Sequence, residues 1–185
     1  IGGTSQKTTQ TASNSKPVVT EIQSGSSTSI MAKDGSIAGH GVQIAAGAGL
    51  SNSSSGSVLL SAGKDISLKG AKGSHSFNAN STSASVGVGI DLTNGGPVGN
   101  AAYGKTKIGS ETTFEVNSHV SGTGAVALNS GNDTTLKGAV VSGSTVIANV
   151  GGDFKVESPQ NTSTYRETGV NASAGFGAGG LSGGV

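Results

Sequence analysis

Three aspartates recur at matching positions of a repeated pattern. Residues 58–71 (VLLSAGKDISLKGA) return as residues 126–139 (VALNSGNDTTLKGA), and their skeleton returns at 146–158 (VIANVGGDFKVES), so Asp65, Asp133 and Asp153 share one corner. Clustered acids with a basic or metal partner are what polysaccharide lyases and hydrolases use. Stacked on adjacent strands, Asp133 and Asp153 would stand roughly 5 Å apart. Like charges so placed repel unless they are solvated, bridged by a cation, or bonded to turn amides. Capping of backbone N–H groups is the ordinary role of Asp at a glycine corner, and the glycine-aspartate nonapeptide spacing of calcium-binding β-rolls is absent. His40, His75 and His119 stand far apart, with no cysteine and no HxxxH spacing to make a zinc site. No GxSxG elbow accompanies the many serines. No catalytic residue, metal or cofactor is therefore assigned, and the chain reads as non-enzymatic. Lys69 and Lys137 occupy equivalent places in LKGA, where they could form a basic stripe for acidic glycans or simply keep a strand face soluble.

The elements that must hold these corners are short alternating strands. The second and third copies keep register at an offset of twenty residues, Val126 to Val146, Asp133 to Asp153 and Leu136 to Val156. Repetition at that period marks a β-solenoid, in which each turn buries a few side chains against its neighbours. Alternation predicts an inward set of Val58, Leu60, Ile66 and Leu68 in the first copy. Val126, Leu128, Thr134 and Leu136 are its equivalents in the second copy, and Val146, Ala148, Phe154 and Val156 in the third. A buried Thr134 hydroxyl needs a partner, a backbone carbonyl or local water. Composition agrees with a thin core and many corners: 33 glycines in 185 residues, 3% aromatic and 11% charged. The net charge of +1 and the lack of any Lys/Arg run leave no footprint for nucleic acid. Freedom from cysteine accords with an exported surface protein.

Upstream, strands are expected at 18–23, 29–33, 36–38 and 42–45, with Asp34-Gly35 and Gly39-His40-Gly41 corners, enough for two more turns. Residues 1–17 are polar and are expected to be poorly ordered or part of a preceding turn. They lack a signal-peptide pattern, so the chain reads as an internal fragment. A polar loop is expected at 52–56. The repeat region spans 18–165, interrupted by a glycine-rich excursion at about 83–108, and a second excursion occupies 166–185. In SASVGVGIDL (83–92), Val86, Val88, Ile90 and Leu92 would share one face, with Ser85, Gly87, Gly89 and Asp91 on the other. That is the length and pattern of a membrane-facing β-strand, though without aromatic girdles. VNASAGFGAGG (170–180) is its companion.

The phrases SGNDTTLKGA (130–139), VSGSTVIANVGGDFKVESPQNTSTY (141–165) and SIMAKDGSIAGHGVQIAAG (29–47) resemble the haemagglutinin-repeat region of the filamentous haemagglutinin family. These are exoproteins of two-partner secretion, including the effectors of contact-dependent growth inhibition. The resemblance covers about residues 29–165 and departs from the pattern at Pro159. It implies a right-handed parallel β-helix, exported through an outer-membrane transporter and displayed on the bacterial surface as a filament. It further implies the repeat region that helps a C-terminal toxin cross the target outer membrane. The expected function is a non-enzymatic segment acting in adhesion or toxin delivery, at the target-cell surface or outer membrane. The alternatives are a module binding a glycan or protein receptor and, behind it, a β-helical carbohydrate-active enzyme.

Overall fold

The computed structural model describes residues 1–47 and 56–185. Among them are seventeen strands and no helix, so the chain is all-β. The first is β1 (Gly2–Ser15), followed by β2 (Thr20–Ser24), β3 (Thr28–Ala32) and β4 (Ile37–His40). Next come β5 (Val42–Ala46), β6 (Val58–Ala62) and β7 (Ile66–Lys69), then the two long strands β8 (Ala71–Ile90) and β9 (Pro97–Val116). Short strands resume with β10 (Ser118–Gly122), β11 (Ala125–Ser130), β12 (Thr134–Lys137), β13 (Ala139–Ser142), β14 (Thr145–Val150) and β15 (Phe154–Glu157). The last two are β16 (Thr162–Gly177) and β17 (Gly180–Gly184). Two compact units result: a parallel unit of Ser15–Gly73 and Thr113–Thr162, and a sheet unit of Ile1–Asn14, Ser74–Thr112 and Ser163–Val185.

In the parallel unit the chain visits three sheets in rotation. Their orders are β13-β10-β5-β2, β14-β11-β6-β3 and β15-β12-β7-β4, and neighbouring strands run parallel. Each pass lays one strand on each sheet, and equivalent residues meet: Val126 lies between Val58 and Val146, and Leu136 between Leu68 and Val156. The interval of 68 residues from Asp65 to Asp133 is explained by β8 and β9, which leave between two passes that nonetheless pair directly. Turning from β4 into β5 and from β12 into β13 needs a left-handed residue, supplied by Gly41 and Gly138, both with φ of 61°.

All three sheets feed one core. Val58, Leu60, Ile66, Leu68, Val126, Leu128 and Leu136 are buried in it together with Ile44 and Val120. Thr134 is fully buried; its Oγ1 pairs with the Ser130 hydroxyl at 2.8 Å, and Ser130 donates onward to the Asn132 carbonyl at 3.1 Å. The partner is thus a relayed carbonyl rather than a direct one.

The structure differs from the sequence reading in several places. Val146, Phe154 and Val156, expected inside, are 47%, 51% and 63% exposed. They keep register with buried partners, but β14 and β15 are the outermost strands of their sheets, and among the described residues no further strand covers them. Residues 2–15, expected to be poorly ordered, form a 14-residue strand that pairs with β8. Residues 18–45 supply not two turns but one pass, β2 to β4, and the opening strand of the next, which β6 and β7 complete. The first excursion is longer than expected, because β8 and β9 span 20 residues each. Apart from Gly56, the expected loop at 52–56 lies outside the described residues.

Candidate functional site

The corner aspartates form a ladder of caps. Asp65 Oδ1 accepts the Asp133 N–H at 3.2 Å, and Asp133 Oδ1 accepts the Asp153 N–H at 2.8 Å. Ser36 holds the corresponding place one pass earlier, its Oγ accepting the Asp65 N–H at 3.2 Å. The Asp65 and Asp133 carboxylates each accept a turn amide, the arrangement that relieves their mutual repulsion. Among the described residues no group of three or more His, Asp or Glu could hold a metal ion. His40, His75 and His119 lie apart on β4, β8 and β10 and are exposed.

The lysines do form a column, with His40 beside Lys69, Lys69 beside Lys137 and Lys137 beside Glu157. Its charge is broken at one end. Glu157 bonds Lys137 at 2.8 Å and Lys155 at 2.5 Å. The Lys137 hydrogen bond, followed by that of Lys155, holds the Glu157 carboxyl down at about 2. The same bond raises Lys137 above its ordinary value.

A different surface stands out in the sheet unit. Its strands make a single sheet, β1-β8-β9-β16-β17, and the unit has no second layer among its described residues. β8 and β9 close through a turn in which Asp91 N–H donates to Gly96 O at 2.8 Å and Gly95 N–H to Asp91 O at 2.7 Å. The Asp91 side chain accepts from Asn94 Nδ2 at 2.8 Å and from the Thr93 N–H at 2.9 Å. Those bonds, Asn94's first, lower its pKa. At the sheet's edges, Ile1 exchanges backbone bonds with Val88, and β17 pairs antiparallel with β16 through Phe176 and Leu181.

Strand alternation separates the two faces of this sheet. On one, Gly87 lies against Asn100, Gly104 between Ser83 and Asn171, and Gly175 against Ser182, while the Val98 side chain lies over Gly89 and Gly177. On the other, the Phe176 ring covers Gly99, where a Cβ would have no room. Here Val86, Val88, Ala101, Ala174, Phe176 and Leu181 line a groove of about 410 Å³. Val86, Val88, Ile90 and Leu92 are 59%, 57%, 71% and 96% exposed. Exposed apolar surface of this kind is a candidate interaction surface. The sequence pattern grouped Val86, Val88 and Ile90 of β8 with Leu92, which the structure places in the turn after that strand; it could not show that Phe176 and Leu181 join the face, since that depends on the order of strands.

Comparison with known proteins places these features. The family model described as hemagglutinin repeat matches residues 1–174. The chain is similar to the deoxyribonuclease CdiA of Dickeya dadantii (strain 3937), 31% identical over 99% of this chain and 6% of that protein. It is similar to the tRNA nuclease CdiA of Escherichia coli O6:K15:H31 (strain 536 / UPEC), 36% identical over 69% of this chain and 4% of that protein. A third relative, the toxin CdiA of Yersinia pestis, is 31% identical over 84% of this chain and 4% of its own length. No solved structure matches. The chain thus spans only 4 to 11% of the length of the curated relatives it matches, and over nearly all of its own length it belongs to the hemagglutinin-repeat family, the repeats of filamentous haemagglutinin-type exoproteins.

Proposed function

We propose that this chain is a non-enzymatic segment of a secreted surface exoprotein that acts in contact-dependent toxin delivery, where the parallel unit is a right-handed parallel β-helix serving as spacer. The apolar face of the sheet unit is then the surface that meets the target cell's outer membrane. The observation that carries this reading is the single-layer sheet with Val86, Val88, Ile90, Phe176 and Leu181 exposed on one face and glycine, serine and asparagine, with Val98, on the other. A sheet of that kind buries its apolar face against something, and the alternating stretch at the end of the 20-residue β8, near ten residues, suits hydrocarbon. The nuclease names of the relatives accord with a non-enzymatic segment, because the similarity covers only 4 to 11% of the proteins so named. The secretion partner is an outer-membrane transporter of the two-partner type. A stack that grows by docking each pass on the previous one suits folding outside the cell.

Flotation with vesicles of outer-membrane lipid tests the membrane reading. The chain is expected to float with the vesicles and Val88→Asp to remain at the bottom of the gradient. Equal flotation of both, or none by the parent chain, overturns it. Binding to an acidic-glycan column that falls on changing Lys69 and Lys137 would favour a glycan-binding adhesin; the pairing of Lys137 with Glu157 argues against that outcome.

A further inference from the structure

Every lysine and arginine of the sheet unit lies on one face of its sheet, the face that carries Phe176. They are Lys7 on β1, Lys105 and Lys107 on β9, and Arg166 on β16. Alternation along each strand fixes their side. On β9, Tyr103, Lys105 and Lys107 follow Gly99 and Ala101 at every second position, and Gly99 is the residue under the Phe176 ring. On β16, Arg166 is an even number of residues from Phe176. On β1, the Thr8 hydroxyl meets that of Ser81 at 3.2 Å, and Ser81 is two residues from Ser83 of the opposite face, so Lys7 falls on the apolar one. The alternation stays in phase far down the strands. A Cβ on Gly109 would meet Asn78, which shares its side with Val86, and Thr112 bonds Ser163 at 3.1 Å on the other side.

These four cations make a band. A Cβ on Gly169 would meet Thr106, so Lys107 stands opposite Thr168 with Arg166 diagonal to it. Lys105 and Lys107 are separated by roughly 7 Å along their strand. Lys7 faces Thr82 and Thr82 faces Lys105, which puts the two lysines roughly 10 Å apart in one row. Half-exposed Tyr103 comes next along β9, and beyond it lies the groove of Val86, Val88, Phe176 and Leu181. All four cations are exposed, and none is in an ion pair among the described residues. Glu111, two residues past Gly109, is the nearest acid along β9. The opposite face carries Glu167, bonded by the Tyr165 hydroxyl at 2.8 Å, and no Lys or Arg among the described residues. Cations that served solubility alone would have no reason to share the apolar face. An apolar surface bordered by a tyrosine and then by cations follows the layers of a lipid leaflet: acyl chains, interface and headgroup phosphates.

We propose that this face of the sheet binds anionic lipid, with Lys7, Lys105, Lys107 and Arg166 on the headgroup phosphates and Tyr103 at the boundary with the acyl chains. It rests on the reading of this face as the one that meets a membrane, and adds which lipid it selects.

The test floats the full 185-residue chain with vesicles of phosphatidylcholine alone and of phosphatidylcholine doped with phosphatidylglycerol. The chain is expected to bind the doped vesicles at least about tenfold more tightly, and added salt to erode that preference. Joint replacement Lys105→Gln, Lys107→Gln and Arg166→Gln is expected to abolish the preference, at about fivefold per charge. Replacing Lys16, Lys33 and Lys64 by Gln removes the same charge from the parallel unit and is expected to preserve it. Inorganic phosphate matched to the lipid phosphate is expected not to displace the chain. Equal loss in both triple variants, or displacement by inorganic phosphate, overturns the proposal. Equal binding to both kinds of vesicle removes the selection of anionic lipid and leaves the membrane reading standing, while binding to neither removes both.

Discussion

At the scale of single residues, the side chains that first suggested chemistry turn out to hold corners and relieve burial. Thr134 shows how: its hydroxyl is buried at no cost only because Ser130 passes the bond to a carbonyl. Ser130→Ala should lower unfolding free energy by about 1–3 kcal/mol, and adding Thr134→Val should restore much of it, as measured by urea denaturation. Glu157 carries a pH dependence. Its carboxyl sits at about 2 against an ordinary 4.5, so its pairing stabilises the fold fully above about 4.5 and is lost as pH falls through about 2. Glu157→Gln should flatten that part of the stability curve; because the pair is exposed to solvent the effect should be small and should shrink further in high salt. Corner aspartates were legible in the sequence as equivalents. Their bonding partners were not, since each cap lies on another pass of the chain.

At the scale of elements, burial depends on whether a strand has neighbours on both sides. Leu60 on β6 and Val156 on β15 occupy core-type positions by alternation alone, yet Leu60 is fully buried and Val156 is not. Leu60→Ala should cost about 2–5 kcal/mol, while Val156→Ala should cost less than about 1 kcal/mol; chemical denaturation of both variants checks the contrast. Alternation revealed the strands because side chains on a pleat point to opposite faces every second residue. It could not reveal which strand is outermost. β1 was missed because GGTSQKTTQTASNS has no apolar alternation; that strand is held by backbone bonding to β8, which leaves no mark in side-chain type.

At the scale of the molecule, the chain interrupts one architecture with another and then resumes it. Gly73 lies against Phe114, so the two ends of the insertion meet within the parallel unit. Replacing residues 74–112 by an Asn-Gly turn should leave that unit folded, because β5–β10, β6–β11 and β7–β12 pair without help from the insertion. Circular dichroism retaining its strand signal, with protected amides in β6 and β11, is the expected result. Loss of both would show that the insertion is needed for the passes to meet. Removal should also abolish vesicle flotation if the apolar face of the sheet unit is what binds lipid.

The sequence alone determined the short-strand repeat, the inward residues of its first two copies and its glycine corners, because a period of two along a strand and a fixed spacing between corners are local properties of the chain. It also grouped Val86, Val88 and Ile90 of β8 by alternation. Only the tertiary structure decided that passes separated by 68 residues lie side by side, that β15 ends its sheet, and that Phe176 and Leu181 complete the apolar groove. Those outcomes depend on which backbone edges pair across long separations, and edge pairing is made by N–H and C=O groups that nearly every residue carries alike.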